Sequence, residues 1–381
     1  MKVFVIAGEP SGDKLGGALM EGLRGECADV TYDGIGGPLM QAQGLQSLFP
    51  MQELSLMGIA EILPKYRHLK RRIRQTAEAV IAARPDVLIT IDSPDFCLRV
   101  ARLVKAASDI RTVHYVAPTV WAWRAGRAAK MAQVIDHVLA LFPFEPPYMT
   151  DAGMECDFVG HPIATSPPVA EAEIAALGID GPTMVVLPGS RTSEIERLAP
   201  IFVEAVKRSG LSQRVVIPTL PHLADRVRTL FAPLSPVLVG IGEADAGSAA
   251  RARLVAMAQA DLALAASGTV SLELAAARTP MVIAYDMNWI SRQIISRMLL
   301  TDTVTLVNLV SDTRVVPEFI GHDCQPQPIA EALAAVTQDP TAQLAALETT
   351  MDRLGRGGDA PGARAARAIL ARLPQPPTDE G

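Results

Sequence analysis

Short β-branched runs alternate with longer Ala-, Leu- and Arg-rich helical stretches along almost the whole chain. The runs are apolar nearly throughout: "VFVIA" at 3–7, "VLITI" at 87–91, "TVHYV" at 112–116, "MVVL" at 184–187, "VVIP" at 215–218, "VLV" at 237–239, "LALA" at 262–265 and "MVIAY" at 281–285. A strand that is apolar on both faces belongs in a sheet covered on both sides, and parallel strands need a helical crossover to bring the chain back. The pattern predicts an α/β fold of parallel sheets, with helices such as 96–107 and 192–208 as crossovers.

A chain of 381 residues, 49% of them hydrophobic, suits two such domains. The stretch "HPIATSPPVAEAEIAALGIDGPT" at 161–183 breaks the alternation and reads as the connection. This gives an N-terminal domain at 1–165, a C-terminal domain at 180–340, and final helices at 341–381 ending in the polar "PQPPTDEG". Each half opens on a strand–turn–helix, "VFVIAGEPSGDKLGG" and "MVVLPGSRTSEIERL", so two Rossmann-like domains facing a cleft are expected. A net charge of −6 argues against bulk nucleic-acid binding. Cys27, Cys97, Cys156 and Cys324 are widely spaced, with no CxxC and no HExxH, so neither a metal nor a redox cofactor is expected and a reducing cytoplasm suits the chain. The first apolar run is too short for a secretion signal, and no run approaches the ~18 residues of a membrane span. A membrane is therefore met only from its surface.

Neither turn spells GxGxxG, which disfavours a dinucleotide dehydrogenase. The second turn suits phosphate better: Gly189, Ser190 and the amides opening the next helix are donors, and Arg191 adds a planar fork. A plain helix cap by Ser190 or Thr192, completed by Glu194 or Glu196, is the competing reading, but a cap does not need Arg191. The geometry recurs in "ALAASGTVSLE", where Ser267, Gly268 and Thr269 precede a helix bearing Glu273, a carboxylate placed to accept both hydroxyls of a ribose. Together the two turns read as a nucleotide-diphosphate pocket.

Asp92 ends the strand "VLITI", where α/β sheets place ligands. Ser93 and Pro94 supply a cap and a first helical residue, leaving Asp92 for work as a general base. Two of the three tryptophans, Trp121 and Trp123, share one strand-end loop, as core or as the wall of a sugar or acyl site. His114 reads as a satisfied core histidine. In the opening turn, Glu9 and Asp13 would repel a diphosphate but suit sugar hydroxyls, so Glu9, Ser11 and Asp13 mark the acceptor side.

These motifs lie in a chain that resembles the lipid-A-disaccharide synthase family over nearly its whole length. The resemblance runs in order through "AGEPSGD", "GIGGPLMQAQG", "LSLMGIAEIL", "PDVLITIDSPDF", "HYVAPTVWAWR", "FPFEPPY", "FVGHP", "LPGSRTSEI", "ASGTVSLE" and "TDTVTLVNLV". It implies an inverting, metal-independent glycosyltransferase of the B type. The donor would be UDP-2,3-diacylglucosamine, the acceptor 2,3-diacylglucosamine 1-phosphate, and the products a β-1,6-linked disaccharide and UDP. It also implies Asp92 as base, Arg191, Glu273 and Asn308 at the nucleotide, and a homodimer that exchanges its last helices. Pro10, Asp286 and Val307 depart from the family's usual residues at their positions. Another UDP-sugar transferase or epimerase of this fold is the nearest alternative. A non-catalytic nucleotide-sugar binding protein would keep Arg191 and Glu273 but have no need of Asp92.

A lipid substrate gives meaning to "MGIAEILPKYRHLKRRIRQ", which carries Lys65, Arg67, Lys70, Arg71, Arg72 and Arg74 with no acid after Glu61. With Ile62, Leu63 and Tyr66 near helical spacing, it reads as an interfacial element docking on an anionic inner-membrane surface from the cytoplasmic side. The bland alternative is a solvated basic face over an ordinary core stripe.

Overall fold

The first apolar run forms β1 (Lys2–Ala7), in which Val3 to Ala7 are at most 1% exposed. In the computed structural model, which describes residues 1–54, 59–121, 126–243, 246–287 and 301–373, this strand lies inside a seven-stranded parallel sheet. In chain order come α1 (Pro10–Glu26), β2 (Thr31–Ile35), α2 (Pro38–Ala42), β3 (Gln46–Ser47), α3 (Ile59–Ala83) and β4 (Val87–Ile91). They are followed by α4 (Pro94–Lys105), β5 (Arg111–Tyr115), α5 (Gly126–Met131), β6 (His137–Ala140), α6 (Pro146–Thr150) and β7 (Glu155–Phe158). The strand order is β3-β2-β1-β4-β5-β6-β7.

A second parallel sheet follows a chain division at 165/166, inside the Pro-rich stretch. Its elements are α7 (Glu171–Ala176), β8 (Thr183–Leu187), α8 (Thr192–Ser209), β9 (Arg214–Pro218), α9 (Ala224–Leu230), β10 (Val237–Val239), α10 (Ala246–Gln259), β11 (Leu262–Ala265), α11 (Val270–Ala276), β12 (Met281–Tyr285) and β13 (Glu318–Ile320). The order is β10-β9-β8-β11-β12-β13, over a core that includes Leu198, Phe202, Ile217, Phe231, Leu264 and Leu333. The α/β class with two parallel sheets is as the alternation predicts. Strands β2, β3, β6, β7 and β13 escape the sequence reading because they are short or carry Gly, His, Asp or Glu. Pairing with an established neighbour, rather than their own composition, makes them strands.

Two features of the sequence find structural roles here. His114 is buried on β5 with Nδ1 at 2.8 Å from Thr90 Oγ1, and burial lowers its pKa to about 4, so it stays a neutral core residue. The final stretch divides between the units. Helix Thr341–Arg353 belongs to the second, where the Gln343 carboxamide bridges the amide and carbonyl of Met281 at 2.9 and 3.0 Å. Helix Pro361–Leu370 packs on α1 of the first, so closely that a Cβ on Gly22 would lie 2.5 Å from the Gly362 carbonyl oxygen.

Asp13 corrects an expectation. Its carboxylate, 3% exposed on α1, accepts the amides of Gly37 and Met40 at one oxygen (2.9 and 3.0 Å) and of Leu39 at the other (3.0 Å). It caps α2 from a distance, because Gly37 at the N-cap has no side chain to do so. The group is spent on backbone and offers nothing to a sugar. Asp13→Ala should therefore lower the unfolding free energy by about 2–4 kcal/mol, since buried amides lose a charged acceptor. Urea titration checks this, and a loss below about 1 kcal/mol would count against the cap.

Candidate functional site

In both sheets the chain winds outward in opposite directions from one strand pair, β1 with β4 and β8 with β11. The loops leaving that pair diverge, so a crevice opens at the carboxyl ends of the strands. In the second unit the loops after β8 and β11 enclose a cavity of about 330 Å³. Gly189, Ser190, Arg191, Ser267, Gly268, Thr269 and Glu273 all line it. Gly189 has φ +106° and Gly268 +147°, conformations that favour glycine.

Three further polar side chains line this pocket that the sequence did not assign to it: Glu194, Arg253 and Tyr285. Glu194 folds back over the turn, accepting the Ser190 amide at 3.3 Å, Arg191 Nη1 at 3.0 Å and the Tyr285 hydroxyl at 3.2 Å. Arg253, from α10, forms an ion pair with Glu273. The signal for Tyr285 was its place at the carboxyl end of the strand beside β11; Arg253, inside a helix, had none.

Asn308 does not belong with them. It is buried, with Oδ1 accepting the Val316 amide at 3.0 Å and Nδ2 donating to the Val316 carbonyl at 2.9 Å and to Thr303 Oγ1 at 3.3 Å. Its carboxamide ties down the 303–316 loop, and the residue does not line the cavity.

In the first unit the equivalent edge holds Glu9 after β1 and Asp92 after β4. Asp92 and Ser93 have φ +51° and +44°, and Val116, which follows β5, has +85°. Such backbones cost about 1–3 kcal/mol each in non-glycine residues and cluster at functional sites. They are held by ladder bonds that run one residue past each strand, Asp92 N–H to the Tyr115 carbonyl and Val116 N–H to the Leu139 carbonyl, both 3.0 Å. The Ser93 hydroxyl, expected to cap α4, makes no cap bond and is buried without a partner. Asp92 Oδ1 instead accepts the Ser93 amide at 2.9 Å, and Oδ2 has no hydrogen bond among the described residues. Burial, then the charge of Asp92, raises the pKa of Glu9, so these two carboxyls are brought together; Ser11 is exposed on the first turn of α1.

Trp121 packs as core: it is 8% exposed and meets Phe144 edge-on at 5.3 Å, in a stack with Phe142 and His161. Trp123 lies outside the described residues. Beside the stack, Glu145 is buried and accepts the amides of Leu141 and Phe142 at 3.1 and 3.0 Å.

Of the basic segment, Ile62, Leu63 and Tyr66 have side chains outside the described residues. Arg72 turns inward: it grips Glu53 through Nε and Nη2 at 2.8 and 2.7 Å and lies 4.2 Å from the Phe49 ring centroid. It is a structural tie, not a surface cation, which corrects its expected membrane role. Arg71 leans on His68 at 2.9 Å. Lys70 and Arg74 line a cavity of about 260 Å³ with Arg99 and Arg102 of α4, over Ile73 and Leu103. These four cations have no ion pair or hydrogen bond from their side chains among the described residues.

Burial pushes the Glu145 pKa from the ordinary 4.5 up to about 8. Between these values the folded state holds a proton that the unfolded chain releases, so Glu145 makes stability fall as pH rises through that window. Glu145→Gln keeps an acceptor for the amides and removes the titration. The melting temperature of the variant minus that of the parent should grow from pH 5 to pH 8, and a flat difference would show that no proton is held.

Among the described residues no helix is long and apolar enough to cross a membrane, and no group of three His, Cys, Asp or Glu is arranged to hold a metal ion. The profile of the lipid-A-disaccharide synthetase family matches residues 3–357. The chain is 64% identical to the lipid-A-disaccharide synthase of Ruegeria pomeroyi, over 98% of this chain and 96% of that one. It is 44% identical to that of Rhodospirillum centenum, over 97% and 94%. In fold it is similar to a UDP-GlcNAc 2-epimerase from Neisseria meningitidis solved with UDP-GlcNAc, with TM-score 0.62 and 14% identity over 98% of this chain and 99% of that one. It is also similar to MurG of Acinetobacter baumannii, with TM-score 0.54 and 14% identity over 98% of each chain. The solved structures speak for the B-type fold alone, whereas the profile and the relatives reach further: the chain belongs to the lipid-A-disaccharide synthase family of glycosyltransferases.

Proposed function

We propose that the chain transfers 2,3-diacylglucosamine from its UDP conjugate to the 6-hydroxyl of 2,3-diacylglucosamine 1-phosphate, giving the β-1,6-linked disaccharide 1-phosphate and UDP. The observation that carries this is the convergence of Arg191, the two Gly-containing turns and Glu273 on one cavity at the second sheet's switch point. Arg191, with 66% of its side chain exposed, offers a planar fork to the diphosphate, and Glu273 offers acceptors to the ribose hydroxyls.

Asp92 is the base in this reading. It takes the proton from the acceptor hydroxyl as that oxygen attacks the anomeric carbon on the face opposite the diphosphate. The bond from that carbon to the β-phosphate oxygen breaks, its electron pair leaves with UDP, and the configuration inverts. The departing charge is met by Arg191 and by the amides of the turns, with no metal ion taking part. Glu9, beside Asp92, is placed to orient the acceptor hydroxyls.

The lipid substrates are reached by docking peripherally on the cytoplasmic face of the inner membrane. The groove of Lys70, Arg74, Arg99 and Arg102 supports this, because four cations unpaired among the described residues, around an apolar floor, suit anionic headgroups. A homodimer formed by exchanging helix Pro361–Leu370 would keep the same close contact with α1 that the single chain makes.

Asp92→Asn should cut turnover at least ~100-fold and leave UDP affinity unchanged, whereas Arg191→Ala should weaken UDP binding by about 1.5–3 kcal/mol. Turnover of the diacylated donor and acceptor, its persistence in excess EDTA, its absence with UDP-GlcNAc, and UDP calorimetry check the pair. Near-normal turnover in the Asn variant would remove Asp92 from the chemistry.

The double variant Arg99→Glu, Arg102→Glu should sediment several-fold less with vesicles containing phosphatidylglycerol, where each basic residue contributes up to about 1 kcal/mol. Sedimentation indifferent to the variant and to salt would move the membrane surface elsewhere.

A further inference from the structure

Every charged side chain lining the nucleotide pocket faces one of opposite sign: Arg191 pairs with Glu194, and Arg253 with Glu273. A cavity proposed to take a diphosphate is therefore close to neutral, with two acids inside it. Glu273 has a use in that reading, as the acceptor of ribose hydroxyls. Glu194 has none.

An acid at the third helical position often reaches back to a backbone amide as part of a cap. That role needs one carboxylate oxygen on one amide, and Glu194 Oε2 on the Ser190 amide at 3.3 Å meets it. The other oxygen does what no cap requires. Oε1 takes Arg191 Nη1 at 3.0 Å and also the hydroxyl of Tyr285, which comes from β12. Burial and the Glu194 charge raise the Tyr285 pKa, so the phenol keeps its proton and donates it. A backbone amide, a guanidinium and a phenol converging on one anion form the donor set that a phosphate oxygen would want. The carboxylate is also seated deliberately close: a Cβ on Gly189 would lie 2.7 Å from Oε2 and 3.0 Å from the Glu194 Cβ.

We propose that Glu194 is an internal counter-anion of the diphosphate site, which holds the Ser190 amide, Arg191 and Tyr285 to a common place and competes with the nucleotide for them. The inference rests on the reading that this pocket binds UDP. Its consequence is a trade. The donors are positioned in advance for the departing diphosphate, while the affinity for UDP is kept low enough for the product to leave.

Calorimetry with UDP and with uridine, on the parent, Glu194→Gln and Arg191→Ala, tests it. The Gln variant keeps an oxygen for the Ser190 amide and loses the charge. It should bind UDP about tenfold more tightly, the scale of one charge-assisted hydrogen bond released to the ligand, and bind uridine as the parent does. Glu194→Ala should shift the ratio of UDP to uridine affinity in the same direction, and thermal melts confirm that both variants are folded. Unchanged or weaker UDP binding in folded Gln and Ala variants would overturn the proposal, leaving Glu194 as a brace for Arg191. Equal tightening of UDP and uridine would overturn it too. If Arg191→Ala leaves UDP binding untouched, it is the nucleotide reading itself that fails, and the two failures are told apart by that arm.

Discussion

The parallel pairings of β1 with β4 and of β8 with β11 are the constraint on which each unit's site depends. Each pair is buried on both faces, and from it the chain winds away in both directions, so the following loops separate at the carboxyl edge. Asp92 and the Gly189 and Gly268 turns sit on those loops, and Glu194 and Glu273 on the helices that follow them. The sheet also holds what the loops alone would not adopt. Asp92 and Val116 keep left-handed backbones because their amides remain bonded to the neighbouring strands at 3.0 Å. Local strain of this kind persists only where surrounding structure over-determines it.

Charge is distributed unevenly over these edges. In the first unit two carboxyls, Glu9 and Asp92, lie together, and burial followed by the Asp92 charge raises the pKa of Glu9, an arrangement hostile to a diphosphate and suited to hydroxyls. In the second, two arginines each meet an acid in one cavity. Lys70, Arg74, Arg99 and Arg102, unpaired among the described residues, lie in neither place but in a groove of their own, a local positive patch on a chain of net charge −6.

Much of this was legible in the sequence. The two strand–turn–helix units, the pairing of the "PGSR" turn with "SGT" and Glu273, and Asp92 at a strand end all follow from glycines and apolar runs whose meaning is local. The family resemblance came from the same motifs, and the profile and relatives bear it out. What failed was the assignment of polar side chains that have partners elsewhere. Asp13 looked like an exposed acceptor and caps α2; Arg72 looked like a surface cation and grips Glu53.

By itself, then, the sequence determined the fold class, the turns at the strand ends and the chemical types available at each, because periodicity, glycine backbone freedom and strand burial are properties of neighbouring residues. Only the tertiary structure decided which charges are free to act. Asp13 meets amides 24 to 27 residues away and Glu194 meets a phenol 91 residues away. A side chain's chemistry is written in its own residue, but whether that chemistry is already satisfied depends on what the fold brings within about 3 Å of it.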